Sequence, residues 1–197
     1  MKTLILGSGN GSNAASIITA SKQRLLGPTE IVCIISDVST SGILKVANEN
    51  DIETQFVEAG SPKHKLSGEF ETKWIEIIRK YNPDLIVMAG FMRILERSFL
   101  NNFKDIIINI HPSLLPSFKG LQAIEKAFER GVKITGCTIH WVNDEVDGGQ
   151  IIAQAPVRIM DGDTCEIVRS KVQAAEHMLL PWVIGDLANG NIPFPSS

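Results

Sequence analysis

The sequence predicts an α/β fold: a doubly wound, mostly parallel sheet with an antiparallel edge pair near the C-terminal half. Two observations predict the parallel part. Short apolar runs alternate with helical patterns as far as residue 110, and most of these runs are almost wholly apolar, as in strands covered on both faces. The third observation is that two runs rich in Ile, Val and Thr follow each other after Pro112, which predicts the antiparallel pair.

The first half of the chain contains five predicted strands: Thr3–Leu6, Ile31–Ile35, Thr54–Val57, Leu85–Met88 and Ile106–Ile110. Helices are predicted between them: Asn13–Ser21, Gly42–Asn50, Gly68–Tyr81 and a short turn near Glu96–Phe103. The third helix repeats apolar residues at the i, i+3, i+4, i+7 spacing of a helix packed on a sheet. Asn82-Pro83 is expected to end it.

The second half begins with a predicted helix over Ala123–Arg130, followed by the antiparallel strands Lys133–Val142 and Gln150–Ile159. A long final helix follows, with Asp163 or Thr164 as its cap. We expect residues 1–190 to form a single domain and residues 191–197, which include two prolines, to form a loose tail.

Bulk properties exclude several classes of protein. The net charge of −3 gives no general attraction to nucleic acid or to an anionic membrane. No apolar run approaches the ~20 residues of a membrane span, and the N-terminus does not resemble a signal peptide. Three cysteines without CxxC spacing fit a reducing cytosol. We therefore expect a cytoplasmic protein without nucleic-acid, membrane or metal partners.

A glycine-rich loop, GSGNGSN at residues 7–13, follows the first strand and opens the first helix. Glycines allow a sharp turn and close approach to a ligand, and the helix N-terminus offers free N–H groups to an anion. The loop lacks the third glycine of a dinucleotide fingerprint and the Lys of a Walker loop. It therefore favours one phosphate of a mononucleotide, although Asp37 after the second strand leaves a ribose-binding dinucleotide site open.

The segment NIHPSLLP, residues 109–116, lies at the carboxyl end of the fifth strand, where open α/β sheets place their sites. Asn109 and His111 are two residues apart and should project to the same side of an extended segment. An amide and an imidazole aimed at one point can stabilise an oxyanion. Asp147, before Gly148-Gly149, is a third candidate, because a carboxylate brought to His111 favours the protonated imidazole.

Six segments occur in an order that closely resembles the glycinamide ribonucleotide branch of the folate-dependent formyltransferase superfamily. They are GNGSN at 9–13, AGFMRIL at 89–95, NIHPSLLPSFKG at 109–120, TGCTIHW at 135–141, DEVDGGQII at 144–152 and QAAEH at 173–177. The resemblance runs from about residue 2 to about residue 185. It implies a Rossmann-like formyltransferase fold, 10-formyltetrahydrofolate as co-substrate, and glycinamide ribonucleotide as acceptor in purine biosynthesis, in a monomer or homodimer.

The resemblance also implies residue roles. Catalysis falls to Asn109, His111 and Asp147. The ribonucleotide is held by its phosphate at the glycine loop and near its amine by the last helix, through Gly11, Ser12, Asn13, Gln173 and Glu176. The folate is held by Asn109 and two further segments: Met92, Arg93, Ile94 and Leu95, largely through backbone groups, and Asn143, Asp144, Glu145, Val146 and Asp147.

The chain departs from the family pattern at two places. A histidine that the family often carries in the helix after the SLLP loop is replaced here by Ile124. A basic residue that often contacts the folate has no clear counterpart in residues 59–70, where His64 and Lys65 are candidates.

Other functions remain open at this stage. Methionyl-tRNA formyltransferase shares the chemistry but carries an additional tRNA-binding domain, for which this chain has neither the length nor the basic charge. Formyltetrahydrofolate hydrolase shares the core but usually has an N-terminal regulatory domain, whereas this core starts at residue 3. A non-catalytic nucleotide-binding module using the glycine loop and Asp37 is the alternative from a different class.

Overall fold

The structure, a computed structural model, describes residues 1–195. Its strands are β1 (Lys2–Leu6), β2 (Glu30–Ser36), β3 (Thr54–Phe56), β4 (Lys65–Leu66), β5 (Leu85–Met88), β6 (Ile94–Leu95), β7 (Ile107–His111), β8 (Ile134–Trp141) and β9 (Ile151–Arg158). Its helices are α1 (Ser12–Lys22), α2 (Gly42–Asn48), α3 (Gly68–Tyr81), α4 (Arg97–Asn102), α5 (Ala123–Glu129) and α6 (Cys165–Ala188).

The main sheet has seven strands in the order β3-β2-β1-β5-β7-β8-β9. β1, β2, β3, β5 and β7 pair in parallel, whereas β8 runs antiparallel to β7 and β9 antiparallel to β8. The predicted fold class, including the antiparallel edge pair, is therefore confirmed. β2 and β3 lie on one side of β1 in the sheet, whereas β5 and the later strands lie on the other side. This reversal of strand order opens a crevice at the carboxyl ends of the strands.

Both faces of the sheet are covered, which explains why its strands are almost continuously apolar. Side chains alternate along β1, so that Ile5 joins the core under α1, α2, α5 and α6 while Leu4 and Leu6 join the core under α3 and α4. The same alternation in β7 sends Ile108 and Ile110 to the first core and Ile107 to the second. Asn109 and His111 consequently share a face with Ile107.

Two helix boundaries show how the sequence sets them. Thr164 caps α6 by accepting a hydrogen bond from Ile167 N at 3.3 Å, whereas the Asp163 carboxylate accepts one from Met160 N at 2.7 Å and closes the preceding turn. α3 ends as predicted at Asn82, which takes a left-handed conformation with φ 44° before Pro83.

Two features differ from the sequence-based prediction. The short parallel pair β4–β6 was not predicted, because two residues per strand carry no periodicity. The tail is packed rather than loose as far as residue 194, since Phe194 lies on Trp141 with ring centroids 5.4 Å apart and Ile192 packs on the same core. Residues 196 and 197 lie outside the described part, and a single domain over residues 1–190 stays a prediction. Within residues 1–195, no helix combines the length and apolarity needed to cross a membrane.

Candidate active site

The antiparallel register of β7 and β8 determines which side chains meet at the carboxyl end of β7. Asn109 lies opposite His140, and His111 lies opposite Thr138. All four side chains lie on the same face, because their neighbours Ile108, Ile110, Cys137 and Ile139 point into the core under α6. This face of two adjacent strands is therefore polar at one end, in a sheet whose buried side chains are mostly apolar.

Asp147 closes over this polar end from the loop between β8 and β9. Its Oδ2 lies 3.3 Å from His111 Nδ1 and accepts a hydrogen bond of 2.8 Å from the Gly120 backbone N. Burial acts to raise the pKa of Asp147, but its polar neighbours, among them the Gly120 amide and the charge of His111, outweigh it and hold this pKa below its ordinary value. Asp147 is therefore a carboxylate at neutral pH.

The second nitrogen of His111 also faces an acceptor. Nε2 lies 2.9 Å from the backbone oxygen of Phe118, and a carbonyl oxygen can only accept a hydrogen bond. With Phe118 O at Nε2 and Asp147 at Nδ1, both ring nitrogens are surrounded as a doubly protonated imidazolium requires. Each ring nitrogen of His111 therefore faces an oxygen acceptor.

His140 was not assigned a role from the sequence, although it lies in the TGCTIHW segment. The structure places its Nε2 3.2 Å from Asn109 Nδ2 and 3.7 Å from Asp147 Oδ1. Its Nδ1 lies 2.9 Å from the Trp141 backbone oxygen, and the whole residue is only 2% exposed. Nothing in the sequence gives the β7–β8 register, and without that register this histidine cannot be matched to Asn109.

The loop after His111 is anchored to β8 and β9 by a network of polar groups. Thr138 Oγ1 donates to Ser113 O at 2.7 Å and accepts from Leu115 N at 3.0 Å. Gln154 Nε2 donates to Leu115 O at 2.9 Å and Ser113 Oγ donates to Ser117 O at 2.6 Å. This network fixes the loop that carries Phe118, so the contact of its carbonyl with His111 is part of a rigid arrangement.

The second part of the site is the amino end of α1, which follows β1 through the glycine loop. Among the described residues no side chain caps this end, and its first turn contains no acidic residue. Its free N–H groups and positive dipole end therefore remain available to an anion. Ser8 ties this loop to the one after β5, because its Oγ accepts a hydrogen bond of 3.0 Å from Met92 N.

Gly11 meets a steric constraint from the start of α2. It takes a left-handed φ of 82°, and a Cβ at this position would lie 2.6 Å from Ile43 Cα and 3.0 Å from Ile43 N. The absence of a side chain therefore allows the loop to pack against the start of α2.

Asn13 joins the amino end of α1 to the last helix. Its Nδ2 donates a hydrogen bond of 3.0 Å to Glu176 Oε2. Burial raises the pKa of Glu176, and the hydrogen bond from Asn13 lowers it only in part. Glu176 is thus a buried carboxyl group beside the amino end of α1, whereas a position on the outer face of α6 would have left it exposed. Gln173, one turn earlier, is exposed.

A family model described as formyl transferase matches residues 1–184, which include every residue of the candidate site described above. The chain belongs to the formyl transferase family.

Relatives at the sequence level include two kinds of protein. Phosphoribosylglycinamide formyltransferase of Escherichia coli strain K12 is 36% identical over 192 residues, which cover 98% of this formyl transferase and 89% of the relative. The trifunctional purine biosynthetic protein adenosine-3 of Bos taurus is also 36% identical over 97% of this chain. The chain spans only 19% of that relative's length.

Solved structures give the same grouping. Glycinamide ribonucleotide transformylase 1 of Symbiobacterium toebii superimposes with a TM-score of 0.91 at 34% identity, over 100% of this formyl transferase and 91% of that chain. Phosphoribosylglycinamide formyltransferase of Bacillus halodurans gives a TM-score of 0.88 at 37% identity, with 95% of each chain covered.

The segment expected to line a pterin pocket in this formyl transferase presents backbone and two exposed side chains. Met92 is 57% and Ile94 44% exposed, whereas the Leu95 side chain is buried in the core under α3. The Arg93 side chain is engaged elsewhere, because its Nε donates to Asp37 Oδ2 at 2.7 Å and its Nη1 donates to Gly60 O at 3.0 Å. A ligand would therefore meet the backbone of this segment rather than its guanidinium.

The Arg93–Asp37 pair also bears on the dinucleotide alternative. Both side chains are buried, with 9% and 4% exposed, and breaking such a pair by removing one partner typically costs 3–5 kcal/mol. Asp37 is thus committed to holding the loop after β2 against the loop between β5 and β6. It does not present a free carboxylate for a ribose hydroxyl.

The loop over residues 143–147 is held at both sides by exposed ion pairs. Asp144 pairs with Arg97 of α4 at 2.8 Å, and Glu145 pairs with Lys119 at 2.7 Å. Asn143 Oδ1 accepts from Glu145 N at 3.0 Å, which tightens the turn, and Val146 remains 48% exposed. Of the two glycines that follow, Gly149 is needed because a Cβ there would lie 1.7 Å from Trp141 O.

Three remaining sequence-based candidates are also located. His64 lies beside the expected pterin segment, since its backbone oxygen accepts from Ile94 N at 2.9 Å, while Lys65 pairs with Glu96. Ile124 is 5% exposed and packs in the core under α6. The described residues contain no group of three or more His, Cys, Asp or Glu side chains suited to a metal ion.

Proposed function

We propose that this protein transfers the formyl group of 10-formyltetrahydrofolate to the amine of glycinamide ribonucleotide, giving formylglycinamide ribonucleotide and tetrahydrofolate. The observation that carries the proposal is the meeting of Asn109, His111 and Asp147 at the carboxyl end of β7, in a chain of the formyl transferase family. The names of the relatives, which are phosphoribosylglycinamide formyltransferases, support the same substrate pair.

In this proposal the substrate amine is the nucleophile and attacks the formyl carbon directly, so no covalent enzyme intermediate is needed. The developing oxyanion is stabilised by donors from Asn109 and from the imidazolium of His111. Asp147 keeps His111 charged and, through water, helps a proton to pass from the attacking amine to the leaving folate nitrogen. The buried cysteines fit a role outside catalysis, because burial raises the pKa of Cys33 to about 11 and that of Cys137 to about 12.

The contact between His111 Nε2 and Phe118 O adds a condition to this mechanism. When the substrate binds, the N–H at Nε2 must be shared between the Phe118 carbonyl oxygen and the formyl oxygen of the substrate. Since the oxyanion is more negative than a carbonyl oxygen, the exchange becomes more favourable as the reaction proceeds. The Phe118 carbonyl therefore holds the His111 donor in place before the reaction, and the oxyanion of the transition state then replaces it as the stronger acceptor.

The two substrates are proposed to occupy the crevice on either side of the trio. The phosphate of the ribonucleotide binds at Gly11, Ser12 and Asn13. Glu176 accepts a hydrogen bond near the glycinamide amine, and Gln173 lies at the exposed edge of the same site. The folate binds along residues 92–95 and under the loop 143–147. Holding two substrates in contact is expected to supply much of the acceleration.

The proposal is tested by following deformylation of a 10-formyl folate analogue with and without glycinamide ribonucleotide. We expect deformylation only when the ribonucleotide is present. Deformylation without it would indicate a hydrolase. Stabilisation of the fold by NAD and not by folates would instead indicate a nucleotide-binding module.

A further inference from the structure

His140 carries the inference, because its two ring nitrogens face chemically different partners. Nδ1 lies 2.9 Å from the backbone oxygen of Trp141, which can only accept, so Nδ1 carries a proton. Nε2 lies 3.2 Å from Nδ2 of Asn109, which is an amide donor. These two contacts are satisfied together only when His140 is neutral, with its proton on Nδ1 and the lone pair of Nε2 free to accept.

The nearby carboxylate does not change this assignment. Asp147 Oδ1 stands 3.7 Å from Nε2, beyond hydrogen-bond distance, and its Oδ2 is occupied by Gly120 N and His111. A proton on Nε2 would also be directed at the amino group of Asn109, and the amide would have to turn over. The shorter contact, from Asn109 to an unprotonated Nε2, therefore determines the arrangement.

We infer that His140 is a positioning residue for formyl transfer, which fixes the orientation of the Asn109 amide. One N–H of Asn109 Nδ2 is held by His140 Nε2, and this leaves the second N–H to point at the formyl oxygen. Without an acceptor at this position the amide can turn over and present its oxygen, which would repel the developing oxyanion. His140 itself does not touch the reacting atoms.

Two conservative variants separate this role from a structural one. The amide nitrogen of Asn occupies nearly the place of an imidazole Nδ1, so His140→Asn keeps a donor for Trp141 O and loses the acceptor for Asn109. The Oε1 of Gln occupies nearly the place of Nε2, so His140→Gln keeps the acceptor and loses the donor. We expect His140→Gln to retain kcat within about threefold and His140→Asn to lose roughly 10- to 100-fold, less than the ~100- to 1000-fold loss for removing an oxyanion donor.

The KM for glycinamide ribonucleotide should change little in either variant, since His140 does not contact the anion site at Gly11–Asn13. The effect of His140→Asn should also disappear in an Asn109→Ala background, because no amide is left to orient. Equal kcat values in the two variants, or a lower kcat in the Gln variant, would overturn the inference. So would an undiminished loss in the Asn109→Ala background.

The inference rests on the proposed formyl transfer, and a measurement independent of activity keeps the two apart. Long-range ¹H–¹⁵N correlation spectra of the labelled parent protein report which nitrogen of His140 carries the proton. We expect protonated Nδ1 and unprotonated Nε2 at neutral pH, and a proton on Nε2 would overturn the inference even if the variants do not fold. Absence of formyl transfer by the parent would instead overturn the proposed function, together with the positioning role of His140 in it.

Discussion

Replacing Asp147 by asparagine removes one negative charge from the centre of the site and keeps the size of the side chain. The asparagine oxygen can still accept from Gly120 N, so the turn before Gly148-Gly149 is preserved. At the 3.3 Å between Asp147 and His111, an ion pair in a medium of effective dielectric constant ~20 attracts by about 5 kcal/mol. Desolvation offsets part of this attraction, and we expect about 2.7 kcal/mol to appear in the barrier, a ~100-fold loss of kcat.

The pH–rate profile distinguishes a charge effect from a shape effect. If Asp147 keeps His111 protonated, its loss moves the high-pH limb of the profile to lower pH, because the imidazolium then gives up its proton more readily. Asp161→Asn is the matched control, since it removes the same charge from an exposed pair with Lys133. A profile of Asp147→Asn that overlays the parent, with activity within about threefold, or ~0.65 kcal/mol, would refute the reasoning.

Further predictions concern the oxyanion donors, the anion site and the buried carboxyl group. His111→Ala and Asn109→Ala should each lower kcat by ~100- to 1000-fold while calorimetry still detects the ribonucleotide, and near-normal turnover would remove that residue from the trio. Gly11→Val should lower the melting temperature for steric reasons, whereas Ser12→Ala should leave it unchanged and raise the KM for the ribonucleotide; an unchanged KM would move the phosphate elsewhere. Glu176→Gln should raise the melting temperature at pH 7 but weaken ribonucleotide binding, and a lower melting temperature would argue against a costly buried charge.

The sign of the Glu176 effect follows from the direction of its pKa. The folded-state pKa lies above the unfolded value, so the folded protein holds this proton more tightly. The resulting stabilisation is fully present below the unfolded pKa and is lost as pH rises through the folded one. The parent should therefore lose stability relative to Glu176→Gln as the pH is raised across that window, and thermal unfolding at several pH values measures the difference.

Local patterns predicted the fold because the residue types in each strand depend on whether its two faces are buried. Ile5 packs on one face of the sheet and Leu4 and Leu6 on the other, and only a doubly covered strand requires all three to be apolar. The same local information brought Asn109 and His111 to one face of β7. β4 and β6 were not predicted because each has only two residues. Their pairing depends on the contact that Arg93 makes with the loop before β4.

Local sequence patterns could not predict the contacts between segments that are distant in the chain. The contact of His111 with Asp147 needs the register of β8 on β7 and the turn at Gly149, and the sequence supported it only through family resemblance. His140 depends on the same register. The steric constraint on Gly11 comes from Ile43 of α2, which no pattern around residue 11 reveals.

The central claim is tested most directly by following the formyl carbon itself. A 10-formyl folate labelled with ¹³C in the formyl group is incubated with glycinamide ribonucleotide and the protein, and the carbon is observed by NMR. The account predicts a ¹³C formamide signal on the ribonucleotide that grows in step with loss of the folate signal, and that is strongly reduced in His111→Ala. Label that appears as free formate, or that stays on the folate in the presence of active, folded protein, would contradict it.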